Sequence, residues 1–102
     1  EVSKQSGFRH LEGIAYRVLG EIYGGTDFNK GKKTIEESIR ILKKVGAKNE
    51  LAKSYYSLGR LYKEKGERDK AKKYATQALH IFEKLGTLHE PEKAREILRD
   101  LE

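Results

Sequence analysis

Leu11, Ile14, Ala15, Val18, Leu19, Ile22 and Tyr23 recur along the chain at intervals of three and four, and so do Ala71, Tyr74, Ala75, Ala78, Phe82 and Leu85. Side chains spaced in this way share one face of an α-helix, and no stretch alternates with period two over a strand's length. An all-α chain is predicted. Asp27 and Glu67 stand where helices should begin, after Gly25 and Gly66. Gly46 and Gly86 follow lysine-rich segments, as helix C-termini favour. These signals place four helices at about 8–24, 28–45, 48–64 and 68–85. A fifth, at about 91–101, opens on Pro91 and carries Ala94, Ile97, Leu98 and Leu101 on one stripe. Residues 1–6 read as the end of a preceding helix.

The helices repeat. An offset of 40 lays Ser38-Ile39-Arg40-Ile41-Leu42-Lys43-Lys44-Val45-Gly46 on Ala78-Leu79-His80-Ile81-Phe82-Glu83-Lys84-Leu85-Gly86, and Gly31-Lys32-Lys33 on Ala71-Lys72-Lys73. An offset of 39 lays Tyr16 on Tyr55, Leu19-Gly20 on Leu58-Gly59 and Ile22-Tyr23 on Leu61-Tyr62. The one-residue difference falls in the turn between Tyr23 and Asp27. Small residues at Gly20 and Gly31, and at Gly59 and Ala71, allow paired helices to approach at the short end of the usual ~8–10 Å separation.

Tyr16-x-x-Leu19-Gly20-x-x-Tyr23 and Tyr55-x-x-Leu58-Gly59-x-x-Tyr62 are each followed by a small residue (Gly31, Ala71) and by another seven positions later (Ser38, Ala78). This arrangement resembles the tetratricopeptide repeat, in a long variety of about 40 residues instead of about 34. The proline that usually closes the second helix is absent, with Lys43 and Glu83 near its place, and tyrosine replaces tryptophan at the head of the signature. The resemblance implies an antiparallel helix-pair solenoid. Its parts would be repeat 1 over 7–46, repeat 2 over 47–86 and a half repeat or cap over 87–102, all within one domain. The segment Ile81 to Lys93 is also similar to the C-terminal repeats of large bacterial signalling ATPases, some of which carry nucleotide-cyclase domains. On that resemblance the chain is a piece of a larger signalling protein.

Composition adjusts this picture. Of 102 residues, 36% are hydrophobic and 37% charged, a balance too polar for a compact core around a deep pocket but suited to stacked helix pairs with narrow buried stripes. No apolar run approaches the ~20 residues of a membrane span. The lack of cysteine excludes disulfides, thiolate nucleophiles and iron–sulfur clusters, and agrees with a cytoplasmic setting. The net charge of +6 divides evenly about Leu51, +3 on each side. Lysines 30, 32, 33, 43, 44, 70, 72, 73 and 84 sit on the second helix of each repeat. Glu36, Glu37, Asp69 and Glu83 are mixed among them, and no aromatic residues are interleaved to stack bases, so a nucleic-acid track is disfavoured against a solvated face.

Catalytic patterns fail on spacing. In Gly25-Thr26-Asp27-Phe28-Asn29-Lys30-Gly31-Lys32-Lys33, five residues separate the glycines where a phosphate loop needs four, and Lys33 replaces the magnesium-binding hydroxyl. His89-Glu90 is interrupted by Pro91, and Lys93 stands where a zinc-protease motif needs its second histidine. His10 and His80 are isolated. Neither an enzyme nor a cofactor is expected.

The resemblance puts the first helix of each repeat on the concave side. Spacings of three, four and three then select Ile14, Arg17, Glu21 and Gly24 on the first helix, and Lys53, Tyr56, Arg60 and Lys63 on the third. Lys93, Glu96 and Asp100 follow on the last. The candidate partner-binding residues are therefore Arg17, Glu21, Lys53, Tyr56, Arg60, Lys63, Lys93 and Glu96, around a groove for a peptide or protein, with Tyr56 as apolar anchor. The competing expectation is that these charges pair with one another, Arg60 with Glu21 or Glu96. Relatives that clasp a terminal carboxylate use asparagine where Glu21 and Arg60 stand, so that specialised role is not expected. A second function class is self-association through an exposed repeat end, since a cut through such an array leaves an apolar face.

Overall fold

The computed structural model describes residues 2–87 and 90–101, with side chains described for 7–87 and 91–101. Its helices are α1 (Val2–Gly24), α2 (Phe28–Val45), α3 (Lys48–Lys65), α4 (Arg68–Leu85) and α5 (Glu90–Asp100), with no strand among the described residues. The expected boundaries are met within two residues except at the start. There, Val2–Ser6 continue α1 without a break, where the tail of a separate helix was expected. The lone Gly7 costs a helix only about 1 kcal/mol, and no proline accompanies it to interrupt the hydrogen bonds.

Local chemistry explains the ends. Asp27 is extended (φ −143°) and its carboxylate accepts the Lys30 amide at 3.1 Å, capping α2. Glu67, expected to start α4 in the same way, makes no side-chain cap bond, because its longer side chain does not present the oxygen that Asp27 does. Helices α2, α3 and α4 end on Gly46, Gly66 and Gly86 in the left-handed region (φ 76°, 90° and 72°). In each case the next residue's amide bonds a carbonyl five positions back.

α1 packs on α2 and α3 on α4; the two pairs stack through α2 and α3, and α5 closes the stack against α4. The result is a slab of 47 × 33 × 17 Å. Two helix layers of about 10 Å cannot enclose a wide core, which is how a chain with so much charge stays folded. Buried residues form two clusters. One joins Leu42, Leu51, Ala52, Tyr55, Ala78, Phe82 and Ala94, spanning both pairs and α5. The other joins Ile35, Leu58, Leu61, Tyr62 and Ala71.

Tight helix contacts follow the small residues. A Cβ on Gly20 would strike Ile35 Cγ1, and one on Gly31 would lie 2.5 Å from Gly24 Cα and 2.9 Å from the Gly20 carbonyl. In the second pair a Cβ on Gly59 would meet Ala71 O and Ala75 N at 3.3 and 3.2 Å, a looser fit. The tyrosines divide accordingly. Tyr55 and Tyr62 are buried, with Tyr74 stacked on both at 6.1 and 5.7 Å between centroids, and burial pushes the Tyr62 hydroxyl pKa up. Tyr16 and Tyr23, the counterparts of Tyr55 and Tyr62 in the first repeat, are only half-buried. The backbones of α1 and α2 touch, leaving no gap for a ring, and Tyr23 instead lies under Lys30 Nζ at 4.2 Å.

Candidate functional site

The stacking of α3 on the first pair builds a polar seam along the groove floor. Arg17 Nη1 donates to Glu50 Oε1 at 2.7 Å, and Lys53 reaches the other oxygen of Glu50 at 3.4 Å. Ser38 Oγ donates to the Gly13 carbonyl at 2.6 Å, so the 2.7 Å bond between Ser38 and the fully buried Ser54 takes its hydrogen from Ser54. Ser57 Oγ donates to the Glu21 carboxylate. The Arg17–Glu50, Ser38–Ser54 and Ser57–Glu21 contacts join residues 16 to 36 positions apart and fix one register between the repeats.

Burial raises the pKa of the Glu50 carboxyl, but the Arg17 hydrogen bond and the charges of Arg17 and Lys53 outweigh it and leave the group below the usual carboxylate range. A folded-state value below the unfolded one stabilises the chain above the unfolded pKa of about 4.3, and the benefit is lost as pH falls through the folded value. Stability should therefore drop on acidification below about pH 4. Glu50→Gln, lacking that titration, should show a shallower drop in urea midpoints between neutral and acid pH. Identical slopes would assign the acid sensitivity elsewhere.

All eight sequence-selected residues line two adjoining depressions that share Tyr56 and Lys93. The first, about 310 Å³, is bounded by Arg17, Glu21 and Lys53, with Val18, Ser57 and Phe82 on its walls. The second, about 370 Å³, is bounded by Arg60, Lys63, Glu96 and Asp100, with Glu64 and Ile97. Ile14 and Gly24, also selected by spacing, line neither. Val18, Ser57, Phe82, Glu64 and Ile97 went unselected. Phe82 comes from a second helix, and Ser57 and Ile97 sit one position beyond Tyr56 and Glu96. Val18 and Glu64 likewise follow Arg17 and Lys63, so a face one residue wider on each first helix includes all of them except Phe82.

The charges pair, but not as expected. Arg60 lies 3.8 Å from Glu64 on its own helix, with both side chains more than half exposed, while Glu21 takes the Ser57 bond. An i,i+4 partner is the near one for Arg60, and Glu21 faces α3 one turn below it. Lys63 bonds Asp100 at 2.6 Å, tying α3 to α5. Lys93 and Glu96 have no ion-pair partner among the described residues. In the second depression Arg60, Lys93 and Glu96 thus stay weakly engaged, while the first sets Val18, Tyr56 and Phe82 among charged neighbours; Tyr56, shared by both, lies 6.0 Å below the Arg60 guanidinium. Among the described residues no group of histidines and acids could hold a metal, and no helix is long and apolar enough to cross a membrane.

Two antiparallel helix pairs stacked in one sense, each closed by a left-handed glycine cap, define an all-α repeat protein of the solenoid class. The family model for the tetratricopeptide repeat matches residues 52–85, which is α3 from its second turn through the end of α4. That match supports a tetratricopeptide repeat over about a third of the chain, and α1 and α2 repeat the same packing. Members of that family are typically non-catalytic modules for protein–protein interaction or scaffolding. No curated protein matches the chain.

Proposed function

We propose that the chain is a non-catalytic binding module whose groove between α1, α3 and α5 takes an extended segment of a partner protein, within a larger signalling protein. The supporting observation is the pair of adjoining depressions joined at Tyr56 and Lys93. An apolar partner residue fits the first, against Tyr56, Val18 and Phe82. Acidic residues flanking it meet Lys93 and Arg60 in the second, whose present engagement is weakest.

Selection from a random displayed-peptide library tests this directly. Enriched peptides should carry one aromatic or aliphatic residue next to acidic positions, and Tyr56→Ala with Lys93→Glu should weaken them by about 1.4–3 kcal/mol, ten- to a hundredfold in Kd. Arg17 is left unchanged because its reversal would break the seam to Glu50 and confound folding with binding. Peptides bound equally well by wild type and the double variant would move the site out of the groove.

A further inference from the structure

The large hydrophobic side chains exposed among the described residues are Phe8, Leu11, Val18, Leu19 and Ile22 on α1, together with the isolated Leu85 on α4. Successive helical residues turn by 100°, which places Phe8, Leu11, Ala15, Val18, Leu19 and Ile22 within an arc of about 100°. That arc lies opposite Gly13, Gly20 and Gly24, the residues α1 turns toward its neighbours. α1 therefore has two contact faces, one of glycines that is occupied and one of large apolar groups that is not. In α3, positions Glu50, Ser54 and Ser57 correspond to Leu11, Ala15 and Val18 by the 39-residue offset, and they form the polar seam to the preceding pair. The α1 face is the same docking face with its polar groups replaced by apolar ones.

We propose that this face binds the same face of a second copy of the chain, α1 against α1 in antiparallel orientation about a two-fold axis at Ala15. Three observations select this occupant. An isologous interface needs a patch that maps onto itself when reversed, and Phe8, Leu11, Ala15, Leu19 and Ile22, the arc without Val18, which lines the groove, are spaced three, four, four and three, symmetric about Ala15. The two-fold sets Leu11 beside Leu19 of the second copy and Phe8 beside its Ile22, with the small Ala15 at the crossing where the helices come closest. The nearest apolar equivalent in the chain, Ala94, Ile97 and Leu98 of α5 with Leu101 just beyond its end, repeats Ala15, Val18, Leu19 and Ile22 residue for residue in spacing. Ala94 and Ile97 are already buried against the second pair, so a second copy offers α1 its own stripe as the open apolar complement. Finally, the flanking charges are satisfied within each copy, Arg9 by Glu12 and Arg17 by Glu50, so two chains of net charge +6 meet here without setting like charges together.

Sedimentation of the 102-residue chain over micromolar to millimolar concentrations should show a reversible monomer–dimer equilibrium. Leu11→Lys should weaken it by at least about tenfold while circular dichroism stays unchanged, because the side chain is exposed in the monomer. Orientation is read separately in this cysteine-free protein. Ala15→Cys at the axis brings two sulfurs within disulfide range and should yield a covalent dimer on mild oxidation. Phe8→Cys, with its two copies about 20 Å apart, should not. A chain that stays monomeric at every concentration overturns the proposal. So does a dimer indifferent to Leu11→Lys, a Phe8→Cys chain that links as readily as Ala15→Cys, or a stripe that is covered only when a different helix pair is supplied. Leu11, Ala15 and Phe8 lie outside the peptide groove, so these results do not depend on it.

Discussion

Gly31→Ala is expected to destabilise the chain by about 3 kcal/mol, a large share of the ~5–15 kcal/mol that holds a domain of this size together. Intrinsic helix preference acts the other way, favouring alanine by about 1 kcal/mol in a helix interior. Sterics decide the sign. The new methyl would lie 2.5 and 2.6 Å from the Cα and N of Gly24 and 2.9 Å from the Gly20 carbonyl, all backbone atoms that no rotamer change can move aside. α1 and α2 would have to separate, loosening the contact of Gly20 with Ile35 and the Ser38 bond to the Gly13 carbonyl. The equivalent position in the second pair already carries a methyl at Ala71, and the facing helix is set far enough off that even a Cβ on Gly59 would lie 3.3 Å from Ala71 O and 3.2 Å from Ala75 N. Ala71→Gly is therefore the paired control and should cost only about 1 kcal/mol in helix propensity plus a small cavity. Urea unfolding of the two variants separates the explanations; a Gly31→Ala chain as stable as wild type would mean that the first helix pair is not held by backbone contact.

Phe82→Ala should cost about 3–5 kcal/mol. Phe82 is 1% exposed and the largest fully buried side chain. It packs in the one cluster that contains residues of α2, α3, α4 and α5. Removing the ring leaves a cavity that this cluster cannot close without shifting a helix, and α5, which has few other contacts, is the element released first. Amide exchange should show early loss of protection over 94–98, before that of α3. Leu85→Ala, one turn further along the same helix, removes a side chain that is 43% exposed and should change stability by no more than about 0.5 kcal/mol. Phe82 also forms a wall of the first depression, so peptide affinity should fall along with stability. Equal midpoints for the two variants would remove Phe82 from its role as the joint between repeats.

Much of this was legible in the chain because it depends on neighbours in sequence. Helix limits follow from local signals: the Asp27 carboxylate reaches an amide three residues on, and Gly46, Gly66 and Gly86 adopt a backbone conformation that other residues resist. The close pairing of helices follows from where Cβ atoms are missing. The groove residues were selected in two steps: the repeat resemblance put the first helix of each pair on the concave side, and spacing then chose one face, because a helix presents residues three and four apart to one side. What spacing did not give is the partner of each charge. Arg17 meets Glu50 across 33 positions, and Arg60 turns to Glu64 instead of Glu21 or Glu96. Rotamer choice and the stacking angle between repeats decide such pairs.

The outcome for α1 marks the boundary most clearly. Periodicity grouped Leu11, Ile14, Ala15, Val18, Leu19, Ile22 and Tyr23 as one apolar stripe, and repeat logic foresaw an apolar end on the array. The structure splits the group: Ile14 and Tyr23 are half-buried, while Leu11, Val18, Leu19 and Ile22 are 41–66% exposed. Periodicity states which residues share a face; it does not state which face has a neighbour. α1 buries its glycine side because hydrogen in place of a side chain lets the α2 backbone come into contact, a gain in packing that no hydrophobicity pattern records. Local signals in the chain were enough for five helices, the Asp27 cap, the glycine termini and the helix pairing, since each rests on bonds and sterics within a turn or on the absence of a Cβ; they misled at Glu67, which caps nothing, and at the start of α1. The tertiary structure alone decided which side of the first helix is covered and which charges meet across the seam, since both depend on distances between segments far apart in the chain.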